Sequence, residues 1–511
     1  MFDWREWLHR LNYQPLLYFD HNATTPVAPA VRAAMAEALA GCWGNASSLH
    51  TLGRTSRGLV ETARRQVAEG LHCAPERVFF TSGGTEGNNT VIKGVFAARG
   101  GGHLVTTRIE HESVLGACHQ VEAMGGRVTF LPAHPDGRVR AADVQAALRP
   151  DTILVSVMHA NNETGAVQPI EEIAAVTRAA GVPLHTDAVQ SYGKIATDVD
   201  ALGVEFLTLT AHKITGPKGA GALYWRGTTP CQPLIYGGDQ ERKQRAGTEG
   251  VHQLVGLGAA ARLAAGRREG EFRRLAGLRR TLVAGIRRLH PDAVINEAGP
   301  GHQLPGTVNV SFPGKSGLRL LAGLDCHEIG VSIGSACTAD RIEPSHVLLG
   351  MGIPEERALS TIRLSLGSTN NRLSVRFFLW ALERVLRTDP PGFAYLDPHH
   401  LTAEVIRSPA TFLVDLRFPH ERLLAPSIPG ARLWSPFGFE RYLPEIPRDK
   451  RVILMCATGV LSTGSGYRLA SSGHGDVRVV FGGYSAWRGL NPDLVERLAA
   501  EAATGGRRPQ E

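Results

Sequence analysis

Two alternations of strand-like and helix-like runs, separated by a proline-rich break, constrain this 511-residue chain more than any other feature. The first fills about 385 residues. RVFFTSG is followed by a helical run from Thr85. HLVTTRI, RVTFLP, TILVSVMHA, the helical PIEEIAAVTRAAG, PLHTDAV and FLTLTA come next, and GTVNVSF, IRLSLG and the helical RLSVRFFLWALERVLR close the series. Short β-branched runs without polar alternation are buried on both faces, so the pattern predicts an α/β fold with a mostly parallel sheet covered by helices. After Leu386 the chain reads TDPPGFAYLDPHH, which predicts a linker over 387–399. From about His400 a second, smaller α/β pattern follows, with strands at TFLVDLR, RVILMC and VRVVFGG.

Several function classes drop out on composition. The longest apolar runs fall far short of the roughly 20 residues that span a bilayer, so no membrane partner is expected. The first residues, MFDWREWLHRLNYQP, mix acids with bases and lack the apolar core of a signal peptide. Seven scattered cysteines without a CxxC pair predict a reduced, cytoplasmic protein rather than a disulfide framework. The net charge of +7 is uneven: nine arginines lie between Arg262 and Arg288. Leu263, Leu275, Leu278, Leu282 and Ile286 recur there at helical spacing, which reads as a helix with a solvated basic face rather than a nucleic-acid contact. The stretch FDWREWLHRL is expected to pack on the body through Trp4, Trp7, Leu8 and Leu11.

Five pieces of the first pattern carry chemistry. TSGGTEGNN, at 81–89, is a glycine-rich turn opening a helix, where backbone N–H groups and the Thr85 hydroxyl suit a phosphate; an ordinary glycine turn would read the same way. IEHESVL puts His111 at a strand end, MHANNETG puts Asn162 in a polar loop, and HTDAVQ ends a strand with Asp187 and Gln190. TAHKITGPKG sets Lys213 just past the strand VEFLTLT at a Gly-Pro turn. An acid and a lysine at successive strand ends, below a phosphate cradle, suit pyridoxal phosphate. The lysine forms its Schiff base, the acid pairs with the pyridine nitrogen, and an imidazole can stack on the ring.

In the order YFDHNATTP, GNASSLH, TSGGTEGNN, EHESVL, MHANNETG, HTDAVQ, AHKITGPKG, RAGTEG, GSACTAD and IRLSLG, residues 17–386 resemble a cysteine desulfurase of the class V aminotransferase-like group. The resemblance implies a fold type I pyridoxal-phosphate-dependent transferase, a homodimer with a large mostly parallel sheet domain and a small α/β domain. By position it implies that Lys213 is the Schiff-base lysine, Asp187 the pyridine partner and His111 the residue that stacks on the ring and helps move protons. Gln190 and Asn162 would lie near the ring oxygen and substrate. Gly84, Thr85, Thr210 and His212 would hold the phosphate, joined by Thr248 of the partner subunit, and Arg363 would clamp the substrate carboxylate. Lys194 and Lys218 match no catalytic position and read as structural.

Cys337 lies in IGSACTADRIEP, whose small residues alone would also suit an inert buried thiol. The resemblance implies instead that its thiolate takes sulfur from L-cysteine, leaving a persulfide and alanine. Selenocysteine lyases and other class V enzymes share the scaffold and remain alternatives.

Over 400–500 the segments VDLRFPHER, SIPGARLW, VILMCATGVLSTG and GGYSAWRGLNP resemble a rhodanese domain, with Cys456 at the position of the sulfur-carrying cysteine. The loop after it departs from the pattern: CATGVLS has Ala457 and Leu461 where active rhodaneses carry basic residues. Thiosulfate is therefore a poor donor on this reading. The expectation is a relay from Cys337 to Cys456 and on to a sulfur-acceptor protein, an iron–sulfur scaffold, a tRNA-thiolation enzyme or a molybdenum-cofactor sulfuration protein. The alternative is a silent docking module.

Overall fold

The computed structural model describes residues 17–504, apart from 335, 338–341, 388–389, 391, 426 and 436–437, and gives the backbone alone at 336–337, 342, 423–424 and 499–504. The segment FDWREWLHRL lies outside the described residues.

Seven strands form the main sheet: β1 (Val78–Thr81), β2 (His103–Thr107), β3 (Arg127–Leu131), β4 (Thr152–Ser156), β5 (Leu184–Asp187), β6 (Phe206–Thr210) and β7 (Gly221–Trp225). Their spatial order is β1-β7-β6-β5-β4-β2-β3. Only β7 runs antiparallel to its neighbours, so the sheet is mostly parallel, as the apolar runs predict. Apolar side chains fill both of its faces. Val105, Val155, Leu207 and Ala222 pack to one side, and Leu104, Leu154, Phe206 and Leu223 to the other. That is the two-sided burial of a strand without polar alternation.

Helix α1 (Gly84–Arg99) opens directly from the end of β1, and α2 (Glu112–Ala123) follows β2. Glycines let α1 lie close on the sheet: a Cβ at Gly87 would come 2.7 Å from Thr208 Cγ2, and one at Gly84 would come 2.7 Å from Val189 Cγ2. The arginine-rich stretch belongs to a 39-residue helix, α3 (Val251–Leu289), with Leu275, Leu278, Leu282 and Ile286 buried as expected. These residues join a second core with β8 (Val294–Ile295), β9 (Thr307–Ser311), helix α4 (Gly317–Asp325), β10 (Thr361–Ser365) and helix α5 (Arg372–Arg387). Phe19, from the start of the described chain, inserts here, so both ends of the first unit build the smaller core.

A third sheet holds β11 (Phe393–Leu396), β12 (Thr411–Asp415), β13 (Arg432–Leu433), β14 (Arg451–Met455) and β15 (Val477–Val480), all parallel, in the order β11-β15-β14-β12-β13. Where the sequence reads as a loop over 387–399, the structure pairs Phe393–Leu396 with Val477–Val480 as an edge strand. Flanking prolines hide a strand whose Phe393 is buried against Tyr467 of helix α6 (Val460–Ser471). Helix α6 in turn packs on α4, where Ala322 and Cys326 share a core with Phe393 and Tyr467.

Candidate functional site

The C-terminal ends of β1, β5 and β6 and the loops after β2 and β4 open on one cavity of 430 Å³. Its walls carry Gly84, Thr85, His111, Asn162, Asp187, Gln190, Thr210, His212, Lys213 and Arg363. Five distant segments chosen on sequence thus meet at one place, the crevice at strand carboxyl ends where open α/β sheets bind ligands.

Lys213 follows β6 in a single tight turn. Its Nζ donates to the Asn22 carbonyl at 2.5 Å and the Ala23 carbonyl at 2.8 Å. Burial, and then the Arg363 charge, lowers its pKa from 10.5 to about 8, so a neutral, nucleophilic amine is accessible near neutrality. Asp187 ends β5 and is 5 % exposed. Its Oδ1 accepts the Val189 N–H at 2.9 Å and its Oδ2 accepts Asn88 Nδ2 at 2.7 Å. His111 caps α2, its Nδ1 accepting the Ser113 N–H at 3.1 Å. Burial, with Lys213 next in effect, lowers the His212 pKa to about 4, which keeps that imidazole neutral. Arg363 lies on β10 and reaches the cavity from the smaller core. Its Nη2 donates to Asp20 Oδ1 at 2.7 Å and its Nη1 to the Asn162 carbonyl at 3.2 Å.

Thr248 does not line this cavity; it is exposed on the segment before α3. Cys337 sits in a two-residue strand whose backbone pairs with Ile342–Glu343. Both flanks of that segment meet Glu163. Ser345 Oγ donates to Glu163 Oε2 at 2.6 Å, and a Cβ at Gly334 would lie 2.2 Å from the same oxygen. Burial raises the Glu163 pKa.

Some residues of the site were not singled out from the sequence. Asn22 is a hub: its carbonyl also accepts Gln190 Nε2 at 2.9 Å, and its Nδ2 donates to the Asn162 carbonyl and to Thr307 Oγ1. Lys194, which reads as structural, donates to Gln190 Oε1 at 2.9 Å and so orients that amide. Burial, then Lys213 and Arg363, lowers the Lys194 pKa to about 7. The motif YFDHNATTP signals Asn22, and Asn88 lies in the glycine-rich turn TSGGTEGNN.

These walls suit pyridoxal phosphate. An amine, a buried carboxylate and an imidazole surround the cavity, and one edge is the N-terminus of the 16-residue α1, where unbonded N–H groups favour an anion. Asn162 Oδ1 and Arg363 Nε are buried without a hydrogen-bond partner among the described residues, so polar valences remain for a ligand.

A second constellation lies in the third sheet. Cys456 ends β14, 2 % exposed, and its Sγ accepts the Gly459 N–H at 3.2 Å, the Ser462 N–H at 3.4 Å and the Ser462 hydroxyl at 3.4 Å. The loop thus aims donors at the sulfur without a cationic side chain of its own. Asp415 and Arg417 form a buried pair, Nη2 to Oδ2 at 2.7 Å, with the guanidinium 3.6 Å above the Tyr484 ring.

Comparison with known proteins finds two family matches along the chain. Residues 17–378 match the family Aminotransferase class-V, and residues 398–490 match the Rhodanese-like domain. The chain is similar to "Cysteine desulfurase IscS" of Dictyoglomus turgidum, 42% identical over 381 residues that cover 73% of this chain and 96% of that protein. It is also similar to "Putative cysteine desulfurase IscS 1" of Bacillus subtilis, 42% identical over 363 residues, 70% of this chain and 96% of that protein. Among solved structures, a "NifS-like protein" superposes with a TM-score of 0.69 at 35% identity, covering 73% of this chain and 99% of that one. "SspA in complex with cysteine" superposes at 0.60 and 35% identity, covering 68% and 98%.

Proposed function

The chain belongs to the aminotransferase class-V family, as a pyridoxal-phosphate-dependent cysteine desulfurase with a rhodanese-like domain, and from that premise we propose that it moves the sulfur of L-cysteine first to Cys337 and then to Cys456. The observation that carries the second step is the cradle of three donors on Cys456 Sγ, in a domain packed on the unit that bears Cys337.

When bound, pyridoxal phosphate supplies the electron sink that labilises the substrate's Cβ–S bond. Lys213 holds its amine for that group, and its pKa of about 8 leaves a usable neutral fraction. Asp187, fixed by Asn88 and Val189, offers an acceptor to a protonated ring nitrogen. Gln190 and Asn162 orient ring and substrate, His111 covers one face, and Thr85, Thr210 and His212 take the phosphate beside Gly84. Thr248, exposed away from its own cavity, would serve the second subunit of a homodimer. Arg363 receives the substrate carboxylate with the valence it keeps after pairing with Asp20.

The Cys337 thiolate then attacks the substrate sulfur. A new S–S bond forms, the Cβ–S bond breaks, and its electron pair stays on carbon, which takes up a proton to give alanine. In the second step the Cys456 thiolate attacks the outer sulfur of that persulfide, and Cys337 leaves as a thiolate. The working units are then the desulfurase over 17–386 and the rhodanese-like unit over 400–500, whose sheet β11 extends as an edge strand, and a sulfur-acceptor protein takes the atom from Cys456. Among the described residues no helix is long and apolar enough to cross a membrane.

The test is mass mapping of each cysteine after L-cysteine is supplied, in wild type and Cys337→Ser. The relay predicts one added sulfur on Cys456 in wild type and none in the variant. Sulfur confined to Cys337 would reduce the second domain to a docking module.

A further inference from the structure

Asp187 and His111 sit on different elements, the end of β5 and the cap of α2. One hydrogen-bonded chain joins them. Asn88, on α1 and fully buried, donates from the same Nδ2 to Asp187 Oδ2 at 2.7 Å and to Ser113 Oγ at 2.9 Å. Ser113 Oγ lies 2.8 Å from His111 Nδ1. Neither Asn88 nor Ser113 belongs to the residues assigned above to cofactor or substrate.

The chain has a direction. An ionised Asp187 carboxylate is acceptor-only, so the Asn88 amide must turn its nitrogen toward it. The opposite amide atom, Oδ1, is buried without a partner among the described residues, a cost the fold bears to keep that orientation. Both Asn88 N–H bonds are thereby committed. The Ser113 oxygen accepts one of them, which leaves the Ser113 hydroxyl proton to be donated onward. Its neighbour is His111 Nδ1, which already accepts the Ser113 backbone N–H at 3.1 Å. A nitrogen that accepts two donors carries no proton of its own in the neutral ring, so the proton sits on Nε2.

We propose that Asn88 and Ser113 are positioning residues that fix His111 as an Nε2–H donor toward the cavity while holding Asp187 as an acceptor. The two groups flanking a bound ring, one over its face and one at its edge, are then set by a single polarised chain. In that tautomer His111 presents a hydrogen-bond donor to the cavity. The inference rests on the reading of the cavity given above only in that the ring lies between these two residues.

The experiment reads the tautomer directly. Protein labelled with 15N-histidine, both free of cofactor and loaded with pyridoxal phosphate, is compared by long-range proton–nitrogen spectra at neutral pH, with His111→Gln identifying the His111 signals. The expected result in wild type is a protonated Nε2 and a hydrogen-bonded, unprotonated Nδ1. Ser113→Ala shifts the Nδ1 signal and mixes the tautomers, and Ser113→Thr, which keeps the hydroxyl, restores the wild-type pattern. Asn88→Asp turns the Ser113 hydroxyl away from His111 and produces the same shift as Ser113→Ala. Cofactor titrated by its absorbance binds Asn88→Ala about tenfold more weakly, as expected when a hydrogen bond to a charged group is lost. A protonated Nδ1 in wild type overturns the proposal. So does a His111 pattern unchanged in both Ser113→Ala and Asn88→Asp, since the backbone N–H would then suffice. The cofactor-free spectra stand whether or not the protein turns over cysteine, so this proposal and the desulfurase reading fail separately.

Discussion

At the scale of single residues, two half-buried amines, Lys213 in the cavity wall and Lys194 behind Gln190, govern how the cofactor-free protein responds to pH. Lys194 and Lys213 titrate at about 7 and about 8 when folded, against 10.5 as free side chains, chiefly because burial disfavours their charge. Between those values and 10.5 the unfolded chain binds more protons than the folded one, so stability rises with pH through that window. Thermal melts of cofactor-free protein from about pH 7 to about pH 10 are expected to show this rise, and Lys194→Met, similar in volume and uncharged, to flatten its lower part. A Lys194→Met curve parallel to wild type would show that the amine is already solvated. The sequence marks Lys213 because a lysine after a β-branched strand at a Gly-Pro turn is unusual. It could not mark Lys194, whose partners Gln190 and Asn22 lie 4 and 172 residues away. Roles made by long-range contact leave no local pattern.

At the scale of elements, strands were legible where β-branched residues run together and illegible where close packing demanded small ones. GALYW, strand β7, is an example: a Cβ at Gly221 would meet Gly83 Cα at 2.7 Å, so the position must stay small and the strand loses its signature. The turn after β15, which packs on the loop following Cys456, obeys the same rule. Gly483 has φ +67, and a Cβ there would stand 2.4 Å from the Cys456 carbonyl oxygen. Left-handed backbone alone costs an ordinary residue about 1–2 kcal/mol, and the clash adds to it. Gly483→Ala is therefore expected to lower the melting temperature of the rhodanese-like unit and to remove sulfur from Cys456 while alanine still forms. Gly464→Ala makes the control. It lies on α6 with nothing within 4 Å of a new Cβ, and it should be neutral or stabilising by roughly 0.5–1 kcal/mol. Equal loss in both variants would mean that any change in this region unfolds it.

At the scale of the whole molecule, the question is what holds the rhodanese-like domain against the desulfurase. A loop over 387–399 would make the two a tethered pair, with encounter set by linker length. Strand β11 and the α4–α6 contact make them a packed pair instead. Two kinds of interaction meet there. Arg468 pairs with Asp325 at 3.1 Å, but the two side chains are 27% and 48% exposed, and such pairs contribute only about 0.2–1 kcal/mol. Beneath them Ala322, Cys326, Phe393 and Tyr467 are packed into one core, and a Cβ at Gly323 would lie 2.7 Å from Val385 Cγ1 and 3.0 Å from Tyr467 Oη. Burying a large aromatic side chain stabilises by about 1.5–3 kcal/mol, so the apolar contact outweighs the ion pair. Arg468→Ala should leave sulfur transfer to Cys456 near wild type. Gly323→Leu, which wedges α4 away from α6, and Tyr467→Ala, which empties the contact from the other side, should both lower it while L-cysteine is still converted to alanine. Because Tyr467 also packs on Phe393 and Gly323 on Val385, agreement between the two variants, with the melting of both domains unchanged, is what separates lost docking from damage to either domain. Full transfer in both would return the relay to a tether, and transfer lost in Arg468→Ala alone would make charge, rather than packing, the determinant of docking.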